Sequence, residues 1–140
     1  MKLLRSALLL PLLFIYISAD VYSAPRTTHP ESETTALNDL IKTMLSPYVT
    51  QELSRYYEKT LKYPPVYAPY FGTRINVKRT EPGKFEFIVT VHADPYLGPH
   101  ISVGEDDITF KINVIGEVQT LNYKHVKDYK LPPHMWNYYK

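Results

Sequence analysis

The chain has 140 residues, a length typical of one domain, and 44% of its residues are hydrophobic while 21% are charged. This balance argues against wholesale disorder. The 16 basic and 14 acidic residues give a net charge of +2, so the composition provides no electrostatic case for nucleic-acid binding. Cysteine is absent, which excludes disulfides, thiolate zinc sites, a cysteine nucleophile and a lipid-modified cysteine.

The first 23 residues have the layout of a secretory signal peptide. Lys2 and Arg5 form a short positive segment, and residues 7–19 carry no charge and are mostly apolar. This run of about 13 residues is short for a membrane span, which needs roughly 20. We predict that residues 1–23 are a signal peptide cleaved after Ser23. A retained signal anchor is the alternative.

Export has consequences for the protein's location. The mature chain is predicted to be secreted or associated with the cell envelope, with membrane contact only through the signal peptide. Small secreted domains of eukaryotes are usually rich in disulfides. The lack of cysteine therefore favours export from a Gram-positive bacterium.

A helical region follows a polar leader. Residues 24–32 contain two prolines and are predicted to be flexible. From Thr34 the apolar residues recur at helical spacing, which predicts a helix capped by Ser32 or by Thr34 itself. The single folded domain is predicted to span residues 33–126.

Proline interrupts this helical pattern. Ser46 followed by Pro47 is typical of an N-cap and the first position of a helix. The apolar spacing continues to about Thr60. The region is therefore predicted to be either a helix pair or one kinked helix. Pro64, Pro65 and Pro69 then exclude helix.

The second part of the domain alternates with period two, which predicts four strands. The first lies within residues 71–80, and a turn at 81–84 has Pro and Gly at its centre, as a type II turn requires. The second and third strands have the clearest apolar faces, formed by Phe85, Phe87, Val89, Val91 and Ala93 and by Ile108, Phe110, Ile112 and Val114. A turn at Gly116 leads into the fourth strand, from Val118 to about Val126.

This order of elements predicts an α+β fold in which the helical region packs on a four-stranded antiparallel meander. Cystatin-like and NTF2-like rolls share this logic, and the likeness concerns fold alone. Residues 127–140 form an aromatic-rich C-terminal tail that either packs back or stays loose.

Several landmarks together resemble one known family. They are Leu45–Val49, the pair Tyr56–Tyr57, the strand Phe85–Val91, the run Tyr96–His100 and the strand start Asp107–Phe110. The resemblance is to domain-of-unknown-function family 3888, small exported proteins of spore-forming Gram-positive bacteria. It covers roughly residues 37–125.

The resemblance implies an exported bacterial domain and supplies no catalytic residues. The family typically continues its Gly-Pro-His run with a stretch like Asn-Pro-Pro-Tyr-Gly, whereas this chain has Ile-Ser-Val-Gly at residues 101–104. If this loop is a site, its details differ here.

The long connection between the second and third strands is the first candidate site. The connection spans Asp94 to Asp106, longer than ordinary hairpin loops, and long ordered loops often carry function. We predict that Tyr96, Gly98, Pro99 and His100 contact an unknown cell-envelope or extracellular partner. The protein would then be a non-catalytic binding module that needs no cofactor.

A metal site is the alternative. His92 and Asp94, two apart on a strand, point to the same face, and the loop could return His100. Three protein ligands and one open position are typical of a catalytic zinc, which would make the protein a small metal-assisted hydrolase. The competing interpretation is that His92 is a surface residue, Asp94 starts a turn and His100 orders the loop.

Aromatic residues form a further candidate surface. Four of them lie among the prolines of residues 62–71, and Trp136, Tyr138 and Tyr139 end the chain. Tyrosine offers a large contact area with a polar tip, which suits glycan rings or a protein partner. The structural alternative is that these rings close the open end of the sheet.

Overall fold

The computed structural model of the chain describes residues 32–140. In chain order its elements are α1 (Glu33–Tyr57), β1 (Arg74–Arg79), β2 (Phe87–Ala93), β3 (Tyr96–Leu97), β4 (Ile101–Ser102), β5 (Gly104–Ile112), β6 (Val118–Asp128) and a 3-10 helix (Pro133–Tyr138). The predicted signal peptide and the predicted leader, apart from Ser32, lie outside the described residues. Within residues 32–140, no helix is long and apolar enough to cross a membrane.

The predicted α+β class is confirmed, with one helix packed on a four-stranded antiparallel sheet. The strand order is β1-β2-β5-β6, and β3 and β4 form a separate two-stranded hairpin between β2 and β5. The buried residues of β2 and β5 alternate with partly exposed ones, as the period-two pattern predicts. Val91 and Ile108 are partners in adjacent strands and are fully buried.

Of the two alternatives for the helical region, the helix pair is not confirmed, because one helix runs through Pro47. Ser46 does not cap a second helix, since its hydroxyl donates to the carbonyl of Lys42 at 3.0 Å. Leu45 and Leu53, one on each side of Pro47, are both buried in the core. Packing of one continuous face therefore outweighs the local stop signal. Ser32 is the N-cap of this helix, and its hydroxyl accepts a hydrogen bond from the Thr35 amide.

The predicted turns are present. Gly83 has a positive φ of 81°, and the Lys84 amide donates to the Glu81 carbonyl at 3.2 Å. Gly116 has a φ of 82°. Both turns thus use glycine where other residues would be strained. Val114, which we predicted on the third strand, lies in the second of these turns and is 76% exposed.

The predicted long loop is shorter than expected. Residues 96–102 fold into the β3–β4 hairpin, and β5 begins at Gly104 rather than near Ile108. The cause is an extension of the β5–β6 pairing, in which Gly104 lies opposite Asp128. A Cβ at Gly104 would lie 2.7 Å from the carbonyl oxygen of Lys127, so only glycine fits there.

The C-terminal tail packs back onto the residues that follow α1. The amide of Lys62 donates to the Tyr138 carbonyl, and the amide of Lys140 donates to the Thr60 carbonyl. Leu131 and Met135 are buried in the core. Of the two alternatives for residues 127–140, the structure therefore has the packed one.

Candidate functional site: an aromatic surface on the β3–β4 hairpin

The β3–β4 hairpin holds the predicted binding residues in a tight turn. Tyr96 pairs with Ser102, and the turn between the strands contains Gly98, Pro99 and His100. Gly98 has a φ of 52° and His100 a φ of 61°. Such a left-handed conformation is uncommon for a residue other than glycine. The left-handed backbone at His100 therefore fixes the direction in which the Cα–Cβ bond of this residue leaves the turn.

The hairpin is anchored to the proline-rich segment that follows the helix. The amide and carbonyl of Tyr96 exchange hydrogen bonds with those of Val66, at 3.0 and 2.8 Å. The amide of Val103 also donates to the carbonyl of Pro95 at 2.8 Å. This pairing brings residues 70 and 71 beside the hairpin, although they lie 30 residues away along the chain from residue 100.

Four rings meet there and form what we call the aromatic surface: Tyr70, Phe71, Tyr96 and His100. The His100 ring centroid lies 4.5 Å from that of Tyr96 and 4.8 Å from that of Phe71. Tyr70 approaches His100 edge-on at 6.3 Å, and Phe71 approaches Tyr96 edge-on at 5.0 Å. These separations are those of favourable aromatic pairs.

The aromatic surface has a buried base and an exposed rim. Tyr96 lies in the base with 7% of its surface exposed, and burial, with a further contribution from Tyr70, raises the pKa of its hydroxyl. Tyr70 is 78% exposed, and Pro99 and His100 are also exposed. The site therefore presents rings to solvent on a supported base. It suits contact with a planar or apolar group of a ligand.

The structure does not bring the predicted metal ligands together. His92 lies on β2, with its Nδ1 2.8 Å from Asp107 Oδ1. The side chain of Asp94 packs against Gly72, and the His100 ring packs within the aromatic surface. Within residues 32–140, no group of three His, Cys, Asp or Glu side chains is arranged to hold a metal ion. The metal-assisted hydrolase therefore gains no support from the described residues.

A buried polar network was not predicted from the sequence. Asp106 is fully buried beneath the end of α1 and accepts hydrogen bonds from the Tyr57 hydroxyl at 2.9 Å and from His125 Nδ1 at 2.7 Å. The Tyr56 ring stacks between those of Tyr123 and His125, with centroids 5.0 and 4.8 Å away. Burial, followed by the nearby charge of Asp106, raises the pKa of the Tyr57 hydroxyl far above its usual range.

This network joins the helix to the two C-terminal strands of the main sheet. His125 Nε2 is buried without a hydrogen-bond partner among the described residues, although Asp128 Oδ1 lies 3.1 Å away, so burial keeps this nitrogen from a substrate. A sequence signal for Asp106 did exist. It lies two residues before Ile108 and therefore on the core face of the strand, whereas we placed it at the end of the long connection that begins at Asp94.

Comparison with known proteins assigns the chain to a family. The family model described as a protein of unknown function, DUF3888, matches residues 37–127, which is well over half of the chain. The match includes α1 from Leu37 onward, all six strands except the end of β6, and the whole aromatic surface. No curated protein and no solved structure matches the chain significantly. The chain belongs to the DUF3888 family.

Proposed function

We propose that the chain is an exported, non-catalytic binding module that contacts a cell-envelope or extracellular partner through the aromatic surface. The observation that carries this proposal is the packing of the His100 ring against those of Tyr96 and Phe71, at interplanar angles of 33° and 41°, with Tyr70 exposed at the rim. Aromatic side chains provide much contact area and lose little conformational entropy on binding.

The backbone around the site favours recognition by a fixed surface. The positive φ of His100 and the paired hydrogen bonds between Val66 and Tyr96 hold the rings before any ligand arrives. Preorganisation lowers the entropic cost of binding. A fixed aromatic surface of this kind suits a repeated ligand, such as the sugar rings of an envelope polysaccharide.

Co-sedimentation with insoluble cell-envelope material of a Gram-positive bacterium tests the proposal. Tyr70→Ala removes the exposed rim of the site and is expected to lower the bound fraction several-fold. Tyr63→Ala is the matched control, because Tyr63 is 64% exposed and its ring pairs with Tyr138, outside the aromatic surface. Both substitutions are on the surface, so both variants are expected to fold.

The treatment of the envelope material separates the kinds of partner. Binding that survives protease digestion of the envelope and is lost after glycan digestion indicates a polysaccharide ligand. Binding that is lost with protease indicates a protein partner at the same surface. Equal binding of the two variants, or no binding to any envelope fraction, would contradict the proposal.

Export and origin are part of the same proposal. The signal-peptide pattern of residues 1–23 and the lack of cysteine support secretion by a Gram-positive bacterium. That this bacterium forms spores is what the family resemblance implies. The likeness to cystatin-like and NTF2-like rolls also stays a proposal, supported by one helix across one face of an antiparallel meander. Mass spectrometry of the protein from a culture medium would test cleavage after Ser23.

A further inference from the structure

An apolar groove lies between the N-terminal half of α1 and the main sheet, apart from the aromatic surface. Its volume is about 380 Å³, within the range of roughly 300–1,000 Å³ that is usual for small-molecule sites. Its lining includes Ile41, Met44, Tyr48, Val77, Phe87 and Ile112. The tyrosine hydroxyl is the only polar side-chain group among all the described residues that line it.

The groove forms because only some of the apolar residues in this part of α1 are buried against the sheet, while others stay exposed beside it. Leu45 is 2% exposed, whereas Met44 is 66% exposed and Tyr48 37% exposed. On the sheet side, Val77 of the edge strand is 40% exposed. A soluble domain rarely leaves such a concentration of apolar surface open without a binding role.

A positively charged side chain, that of Arg79, lies beside one of the rings that line the groove. The Arg79 guanidinium carbon lies 4.8 Å from the ring centroid of Phe87, which lines the groove, and 5.2 Å from that of Phe85. Arg79 Nη1 donates a hydrogen bond to the carbonyl of Lys84, but Arg79 forms no ion pair with any residue from 32 to 140. By contrast, the adjacent Lys84 is paired with Glu81 at 2.6 Å. The charge and the remaining N–H groups of Arg79 are therefore available to an anion beside Phe87.

We propose that the groove binds the alkyl chain of a free fatty acid, with Arg79 contacting the carboxylate. An aliphatic chain matches the lining, and the carboxylate matches the unpaired cation. A peptide would bring backbone amide groups that the apolar side chains of the groove could not satisfy. A single chain also fits a concave groove better than the broad surface of a bilayer does.

Calorimetric titration with octanoate, decanoate and dodecanoate, each below its micelle concentration, tests the proposal. The protein is produced from its full chain in an exporting host. Each two-carbon extension is expected to tighten Kd by roughly tenfold until the groove is full, because every methylene is removed from water. A Kd that does not depend on chain length would overturn the proposal.

Matched variants locate the site. Met44→Glu places a carboxylate in the groove and is expected to abolish decanoate binding. Leu40→Glu is the control, because Leu40 is 53% exposed on the same helix and does not line the groove. Arg79→Gln is expected to weaken decanoate binding roughly tenfold and to leave decanol binding unchanged. Equal decanoate binding by the two glutamate variants would refute the assignment.

Two other results would also overturn the fatty-acid proposal, because each would indicate a different occupant of the groove. Binding to vesicles of anionic phospholipid without binding to monomeric decanoate would indicate a membrane surface. A dimer that Met44→Glu dissociates and Leu40→Glu does not would indicate that the groove receives a second copy of the chain. Sedimentation velocity of the wild-type protein and of both variants distinguishes this case.

Discussion

Replacing Tyr57 with phenylalanine removes one hydrogen bond from the centre of the domain. The Tyr57 hydroxyl is buried and donates to Asp106 Oδ2 at 2.9 Å, and the carboxylate is itself fully buried. A hydrogen bond to a charged group contributes about 1.5–3 kcal/mol, and its loss leaves a buried acceptor without one of its donors. We expect the free energy of unfolding to fall by about 2 kcal/mol. For a domain of this size, Tm falls by roughly 10 °C.

Tyr67→Phe is the matched control for this measurement. Tyr67 is 8% exposed, and its buried hydroxyl has no hydrogen-bond partner among residues 32–140. Removing an unsatisfied hydroxyl should leave the stability unchanged or slightly raised. Urea denaturation of the two variants and the wild type gives the comparison. Equal losses in both variants would refute the argument that the bond to Asp106 stabilises the fold.

Three further predictions concern the same fold. Burial raises the pKa of the Tyr57 and Tyr123 hydroxyls. Their contribution to the free energy of unfolding is therefore complete below pH of about 10 and falls progressively above it, because these tyrosines then ionise in the unfolded chain and not in the folded one. Urea denaturation should show a decline of about 1.4 kcal/mol per pH unit for each tyrosine, and a smaller decline in Tyr57→Phe. Gly104→Ala, whose Cβ would clash with the Tyr57 hydroxyl and the backbone of β6, should lower stability by about 3 kcal/mol in the same assay; wild-type stability would contradict the packing described. Ser32→Ala removes the N-cap and should lower the free energy of unfolding by about 1 kcal/mol. On heating, the helical circular dichroism signal of this variant should be lost at a lower Tm than that of the wild type, and an unchanged Tm would contradict the cap.

The elements with strong periodicity were predictable from the sequence. Val89, Val91 and Ala93 alternate with polar residues, and they form the buried face of β2 as expected. Pro47 left the prediction open between a helix pair and one kinked helix, because its local signal favours a helix start while the apolar spacing on both sides favours one helix. Local propensity is a weak guide wherever tertiary packing decides the outcome.

The aromatic surface was predictable only in part. Tyr96 and His100 were selected from the length and composition of their loop, and they do lie together. Their contact with Tyr70 and Phe71 depends on the pairing of Val66 with Tyr96, which no local pattern encodes. The separation of His92 from His100 depends on the same hairpin, because its turn directs His100 toward the aromatic rings.

Mapping of amide chemical shifts during titration with a soluble fragment of the envelope ligand tests the central claim most directly. The account predicts that the largest changes fall at Tyr70, Phe71 and residues 96–100, and that Tyr70→Ala abolishes them while Tyr63→Ala does not. Changes centred on another face of the domain, with the amides of the aromatic surface unmoved, would contradict the account.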